Sequence, residues 1–340
     1  MFPKTIHRFL STDDRYIKLL CWLVFLIELP SYWRFHHLMI LDTFAPYGVN
    51  DLTLICLMVV LALLPYSISH KWKLDIHWYA LSFLPSVAIL TLIANEQITI
   101  TEVLPAVLLG ALYVFLMLTR KKLLSRIGNG VFHFRAINSN IWILILLMIY
   151  ALIFTNTNDI AHYSHAIHHY VEAKKWDKAL SVGKRSLRTD STMFSLRAEA
   201  MLEKDELGDI LFSYPVPTHD NVIKIDTPLS AKEAGDVLLC NLLLKKDLNG
   251  FISTLPRWYD IHSPKLPKHY KEAIVVFLSQ SVSTALVYSD TMTEANYADF
   301  LAEKKKYTDP IEANSMCSYL YGDTYFWYYF FFKPVSDHDK

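Results

Sequence analysis

The sequence predicts an all-α protein: a five-span transmembrane helix bundle over residues 1–156, then a soluble helical-repeat domain over 157–340. Three observations lead there. Five apolar runs fill the first half, the periodicity after Asn156 becomes that of amphipathic helices, and charge divides unevenly between the halves. The formal net charge of zero conceals that division. Residues 1–154 hold 12 Lys and Arg against 8 Asp and Glu, whereas residues 155–340 hold 21 against 25. Neither half has the clustered basic face of a nucleic-acid binder, so no nucleic-acid partner is expected. An apolar share of 53% fits a membrane half joined to an ordinary one.

The runs cover residues 16–33, 52–69, 76–95, 103–119 and 139–155. Each is near the length that crosses ~30 Å of hydrocarbon at ~1.5 Å per residue. The only charges inside them are Lys18 at an edge and Glu28, within two turns of the first span's end. So few intramembrane polar groups argue against a pump or ion channel and for an anchor in the lipid bilayer. Pro85 and Pro105 fall in spans three and four, where kinks are tolerated. The flanks fix the orientation. Eleven Lys and Arg lie in the N-terminus and in the loops after spans two and four, against Arg34 alone in the other loops. The N-terminus is therefore expected in the cytoplasm and residues beyond 156 outside. The first span lacks a small-residue cleavage site and reads as an uncleaved anchor, with Tyr32 and Trp33 at the outer interface.

In the second half, residues 160–191 read as two helices of about 14 residues joined near 173–175. Tyr163, Ala166, Tyr170, Trp176, Ala179 and Leu187 alternate large and small residues as a helical hairpin requires. The pattern resembles a tetratricopeptide repeat, departing from it at Ile167, Gly183 and Ser191. A weaker copy follows over 191–215, its Leu207 lying 31 residues after Trp176. Further helices are expected over 231–245, 267–289, 293–306 and 309–332, with Ser230 and Thr293 as N-caps and Glu233 completing a capping box.

The phrases LGDILFSY (207–214) and LPKHYKEA (266–273) resemble an uncharacterised group of bacterial multi-pass membrane proteins with a tetratricopeptide-like C-terminal domain. That resemblance implies a bacterial inner-membrane protein with a periplasmic helical domain. It implies no activity.

Candidate sites are few. His162, His165 and His169 share a helical face at spacings that can supply metal ligands, or they are simply the polar outer face of the first repeat. By repeat position Ser164, His168, Val171 and Glu172 would line a concave groove of the kind that holds a protein partner. Asp42 and Asp51 lie in the first outer loop, 34–51, where multi-pass glycosyltransferases place an acidic residue. The tail 319–332 has ten aromatic residues in fourteen, and reads as a core-capping helix, a membrane-interface surface or a docking patch. Cys21 and Cys56 sit in apolar runs, while Cys240 and Cys317 could pair in an oxidising compartment. No phosphate-binding glycine loop, GxSxG, HExxH or paired CxxC occurs, so no cofactor is expected. The expected function is a membrane-anchored scaffold, with the glycosyltransferase-like enzyme as its alternative.

Overall fold

A computed structural model describes residues 4–72, 74, 76–95, 104–105, 107–111, 114–115, 118–119, 132–280 and 287–333. Every element among them is helical. The chain divides into two compact units, Met1–His162 and Tyr163–Lys340.

The first unit contains four helices long and apolar enough to cross a membrane: Arg15–Tyr47, Asp51–Lys71, Ile76–Ile93 and Ala136–Phe154. Of the expected span over 103–119, residues 104–105, 107–111, 114–115 and 118–119 are described, and all are helical. Helix α1 (Lys4–Phe44) does not stop at residue 33. It continues because Met39, Ile40 and Leu41 are buried, the last two in one cluster with Leu54 of α2 (Asp51–Lys71). The expected outer loop over 34–51 is thereby reduced to a 3-10 turn at Ala45–Tyr47 and three linking residues. Asn50 then caps α2 reciprocally with Thr53.

Two prolines show how backbone is satisfied in an apolar setting. Pro65 has no N–H, so the carbonyl of Leu61, four residues earlier, lacks its helical donor. The Ser86 hydroxyl donates to that oxygen at 2.7 Å. Pro85 falls near the start of α3 (Leu84–Ile93), where its missing N–H costs no helical bond. The residues before it, Ile76–Phe83, are 3-10 rather than α. Buried Asn140, on α4 (Phe132–Phe154), holds that stretch: its Oδ1 accepts from Ala80 N at 2.7 Å and its Nδ2 donates to Ile76 O at 2.6 Å. Ser139 adds a bond to His77 O at 2.8 Å. Irregular backbone is tolerable at membrane depth when protein groups satisfy it in this way.

The second unit is a chain of helical pairs. Its described helices continue as α5 (Asp159–Glu172, which starts in the first unit), α6 (Trp176–Ser181), α7 (Ser191–Glu203), α8 (Leu207–Ile210) and α9 (Ala231–Leu244). Then come α10 (Leu248–Thr254), α11 (Lys268–Gln280), α12 (Thr291–Lys305), α13 (Pro310–Tyr321) and α14 (Tyr325–Phe331). From α6 onward each helix packs on its neighbour in sequence, and α11 also meets α8 and α14.

Three of these pairs close with one turn. Lys174, Asp205 and Lys246 each adopt a left-handed backbone, at φ 53°, 59° and 58°. In every case that residue's N–H bonds the carbonyl three back, and the next N–H bonds the carbonyl five back. The 6→1 bond and the left-handed residue are those of the Schellman motif, which satisfies the last carbonyls of the first helix. An apolar residue opens the second helix two positions later: Trp176, Leu207 and Leu248.

The first pair departs from the expected pattern. Its second helix has six residues, not about 14, and Leu187 is 92% exposed instead of packed. Arg197, buried on α7, ends that helix by donating to the carbonyls of Val182 and Gly183 at 3.0 and 3.2 Å. Gly183 has φ +58°, and a Cβ there would stand 2.9 Å from the Tyr163 ring. The tyrosine takes the space that a bulky residue would fill.

Ser230 caps α9 with Glu233 closing the box, whereas α12 is capped by Asp290 and not by Thr293. The aromatic tail forms two helices with a break at 322–324. In α14, Tyr325, Phe326 and Tyr328 are buried at 0–1% exposure, so these rings belong to the core.

Candidate functional site

Two groups of described polar residues in the second unit bear on function, a surface pair on α5 and a buried network on α9 and α11. On α5, His168 and Glu172 are exposed, one helical turn apart, with His168 Nε2 3.9 Å from a Glu172 carboxylate oxygen. Val171 is buried, and the Ser164 hydroxyl is buried without a hydrogen-bond partner among the described residues. Of the four residues expected to line a groove, only His168 and Glu172 are on the surface. His165 and His169 are half-buried on the same helix, and the His169 ring lies 5.6 Å from that of Tyr170. His162 falls in the first unit, with its Nε2 2.8 Å from Asn156 O and its ring 4.4 Å from Phe35 and 4.9 Å from His36.

The two acidic residues of the enzyme alternative sit on helices. Asp42 is half-buried near the end of α1, and Asp51 is the first residue of α2. His37 Nε2 lies 2.8 Å from Asp51 Oδ1, and that carboxylate also faces the positive end of its own helix.

The buried network was not signalled by any motif. Asp236 on α9 is 6% exposed and accepts from Tyr259 and Tyr270 hydroxyls at 2.7 and 2.9 Å. The Tyr270 hydroxyl also lies 3.6 Å from Cys240 Sγ. One turn along α11, His269 Nδ1 meets Glu272 Oε2 at 2.9 Å, and the same oxygen accepts from Tyr325 N at 2.8 Å. His269 and Glu272 are 1% and 4% exposed. Glu272 thus caps the first N–H of α14, which Thr324 caps again through Trp327 N. The sequence carries one faint mark of this arrangement, a His-Tyr-Lys-Glu run inside an apolar helix.

Burial raises the Asp236 carboxyl above its usual range, and hydrogen bonds from the two tyrosines act in the opposite direction. An acid whose folded pKa is raised stabilises the fold fully below its unfolded pKa. That contribution is lost as pH rises through the folded value. Unfolding midpoints of the full chain should therefore fall from about pH 4 toward neutrality, and Asp236→Asn should flatten that decline. An unchanged slope in the variant would show that Asp236 is not its source. Burial likewise pushes the Cys240 thiol up to about 12. All four cysteines are free thiols, so Cys240 and Cys317, both buried, are not joined.

The network lies within the part of the chain that similarity identifies. Residues 225–333 match a family of unknown function, DUF6057. No curated protein and no solved structure matches the chain.

Proposed function

We propose that this protein is a membrane-anchored scaffold that holds a protein partner on its helical-hairpin unit. The observation that carries the reading is the threefold recurrence of one hairpin turn, at Lys174, Asp205 and Lys246, in a unit whose helices from α6 onward pack on their sequence neighbours. Arrays built in this way present the first helices of successive pairs as a continuous surface, suited to extended or helical peptides. The likeness to tetratricopeptide repeats belongs to this reading. So does the placement of the domain on the periplasmic side of a bacterial inner membrane, which rests on the Lys and Arg asymmetry.

His168 and Glu172 are the surface positions at which a partner is expected to dock. Crosslinking in cells followed by detergent purification should recover a partner with the full chain. The His168→Ala, Glu172→Ala double variant should retain about tenfold less of it, the equivalent of ~1.4 kcal/mol. Undiminished recovery with a correctly folded double variant would remove this face from the account. Asp42 and Asp51 should be dispensable for partner recovery.

A further inference from the structure

Between α1, α3 and α4 is a cleft of about 640 Å³, whose wall is almost wholly apolar. Phe25, Phe83, Leu144 and Leu147 line one part of it. Glu28, Tyr32 and His36 line another, and they recur every four residues along a single stripe of α1. The Tyr32 hydroxyl is committed to Leu90 O across the cleft. His36 is different. It is 5% exposed, it lines the cleft, and its Nδ1 has no hydrogen-bond partner among the described residues. A buried nitrogen without a partner is costly, and a ligand can supply the missing bond. Among the described residues of the wall, Glu28 is the only charged side chain.

We infer that this cleft holds a membrane phospholipid with an amine headgroup. The lining segments are those long and apolar enough to cross a bilayer, so acyl chains are the medium against which the cleft lies. The apolar end accommodates a chain and the polar stripe accommodates a headgroup. Charge complementarity sets the class: the Glu28 carboxylate attracts an ammonium and repels a headgroup of net negative charge. His36 Nδ1 then donates to a phosphate oxygen or accepts from the ammonium, according to its tautomer. The site is independent of partner docking on the second unit.

The test uses the full-length protein in nanodiscs containing a trace of photoactivatable phosphatidylethanolamine or phosphatidylglycerol, each with a diazirine on one acyl chain. After irradiation, labelled peptides are mapped by mass spectrometry. Phosphatidylethanolamine should label peptides bearing Val87, Leu147 or Met148 about tenfold more than phosphatidylglycerol does. Glu28→Gln, which keeps the side-chain shape, should abolish that preference, and Ala151→Trp should abolish labelling by filling the cleft. Equal labelling by the two lipids would overturn the headgroup assignment, as would an undiminished preference in Glu28→Gln. Labelling that survives Ala151→Trp in folded protein would overturn the site itself.

Discussion

Glu272→Ala is expected to destabilise the second unit by about 3–5 kcal/mol, enough to unfold many single domains. Glu272 is 4% exposed and serves two buried donors at once, His269 Nδ1 at 2.9 Å and Tyr325 N at 2.8 Å. Alanine would leave both without an acceptor in a place water does not reach. Each stranded donor costs about 1–3 kcal/mol, and the vacated volume adds to that. Glu272→Gln keeps one acceptor oxygen and should cost about half as much. Denaturant unfolding of the full chain, with hydrogen exchange read over α11 and α14, checks both values. Exchange in α14 should rise first, because its leading N–H loses its cap. An unshifted midpoint for Glu272→Ala would mean that the contact between α11 and α14 contributes little.

Phe300→Ala is expected to cost about 3–5 kcal/mol as well, by a different route. Its side chain is fully buried on α12 and meets five rings. The Tyr321 ring stands edge-on at 5.5 Å, Phe330 at 5.7 Å and Phe326 at 5.9 Å. Removing it opens a cavity lined by aromatic faces too rigid to collapse into it. The same measurement bears on the tail. If the rings of α14 lay on a membrane or a partner, Phe300→Ala would leave the stability of the unit nearly unchanged. A loss of several kcal/mol fits a tail that closes the core.

Much of this architecture is legible in the sequence, because its strongest signals are the physical requirements themselves. Long uncharged runs announce helices fit for a bilayer, and the first hairpin turn is marked where Lys174 and Lys175 precede Trp176. Other features depend on distant partners. Residues 76–83 look like ordinary apolar helix, and only Asn140, far along the chain, makes a 3-10 stretch tenable there. Arg34, His36 and His37 suggest a loop, yet buried Met39, Ile40 and Leu41 carry the helix through them. Arg197 shortens α6 from a neighbouring helix, which no local pattern records.

The candidate sites divide in the same way. The exposed pair of His168 and Glu172 follows from helical spacing alone. The networks around Asp236 and Glu272 depend on bonds between residues 23, 34 and 53 positions apart, and beyond the local His269–Glu272 pair no short motif discloses them. His36 is the instructive case. In the sequence it is one polar residue near the end of an apolar run. Its meaning comes from burial beside a cleft, with a ring nitrogen left unpartnered.

The central claim is that the apolar helices span a bilayer and display the hairpin unit on the side opposite the N-terminus. Thiol labelling in intact cells tests it most directly. In a background carrying Cys56→Ala, with the three remaining cysteines buried, Leu187→Cys reports on the second unit and Lys71→Cys on the end of α2. A membrane-impermeant maleimide should label Leu187→Cys at once, and Lys71→Cys only after the cells are opened. Labelling of both positions from the same side, or of Lys71→Cys alone, would contradict the account.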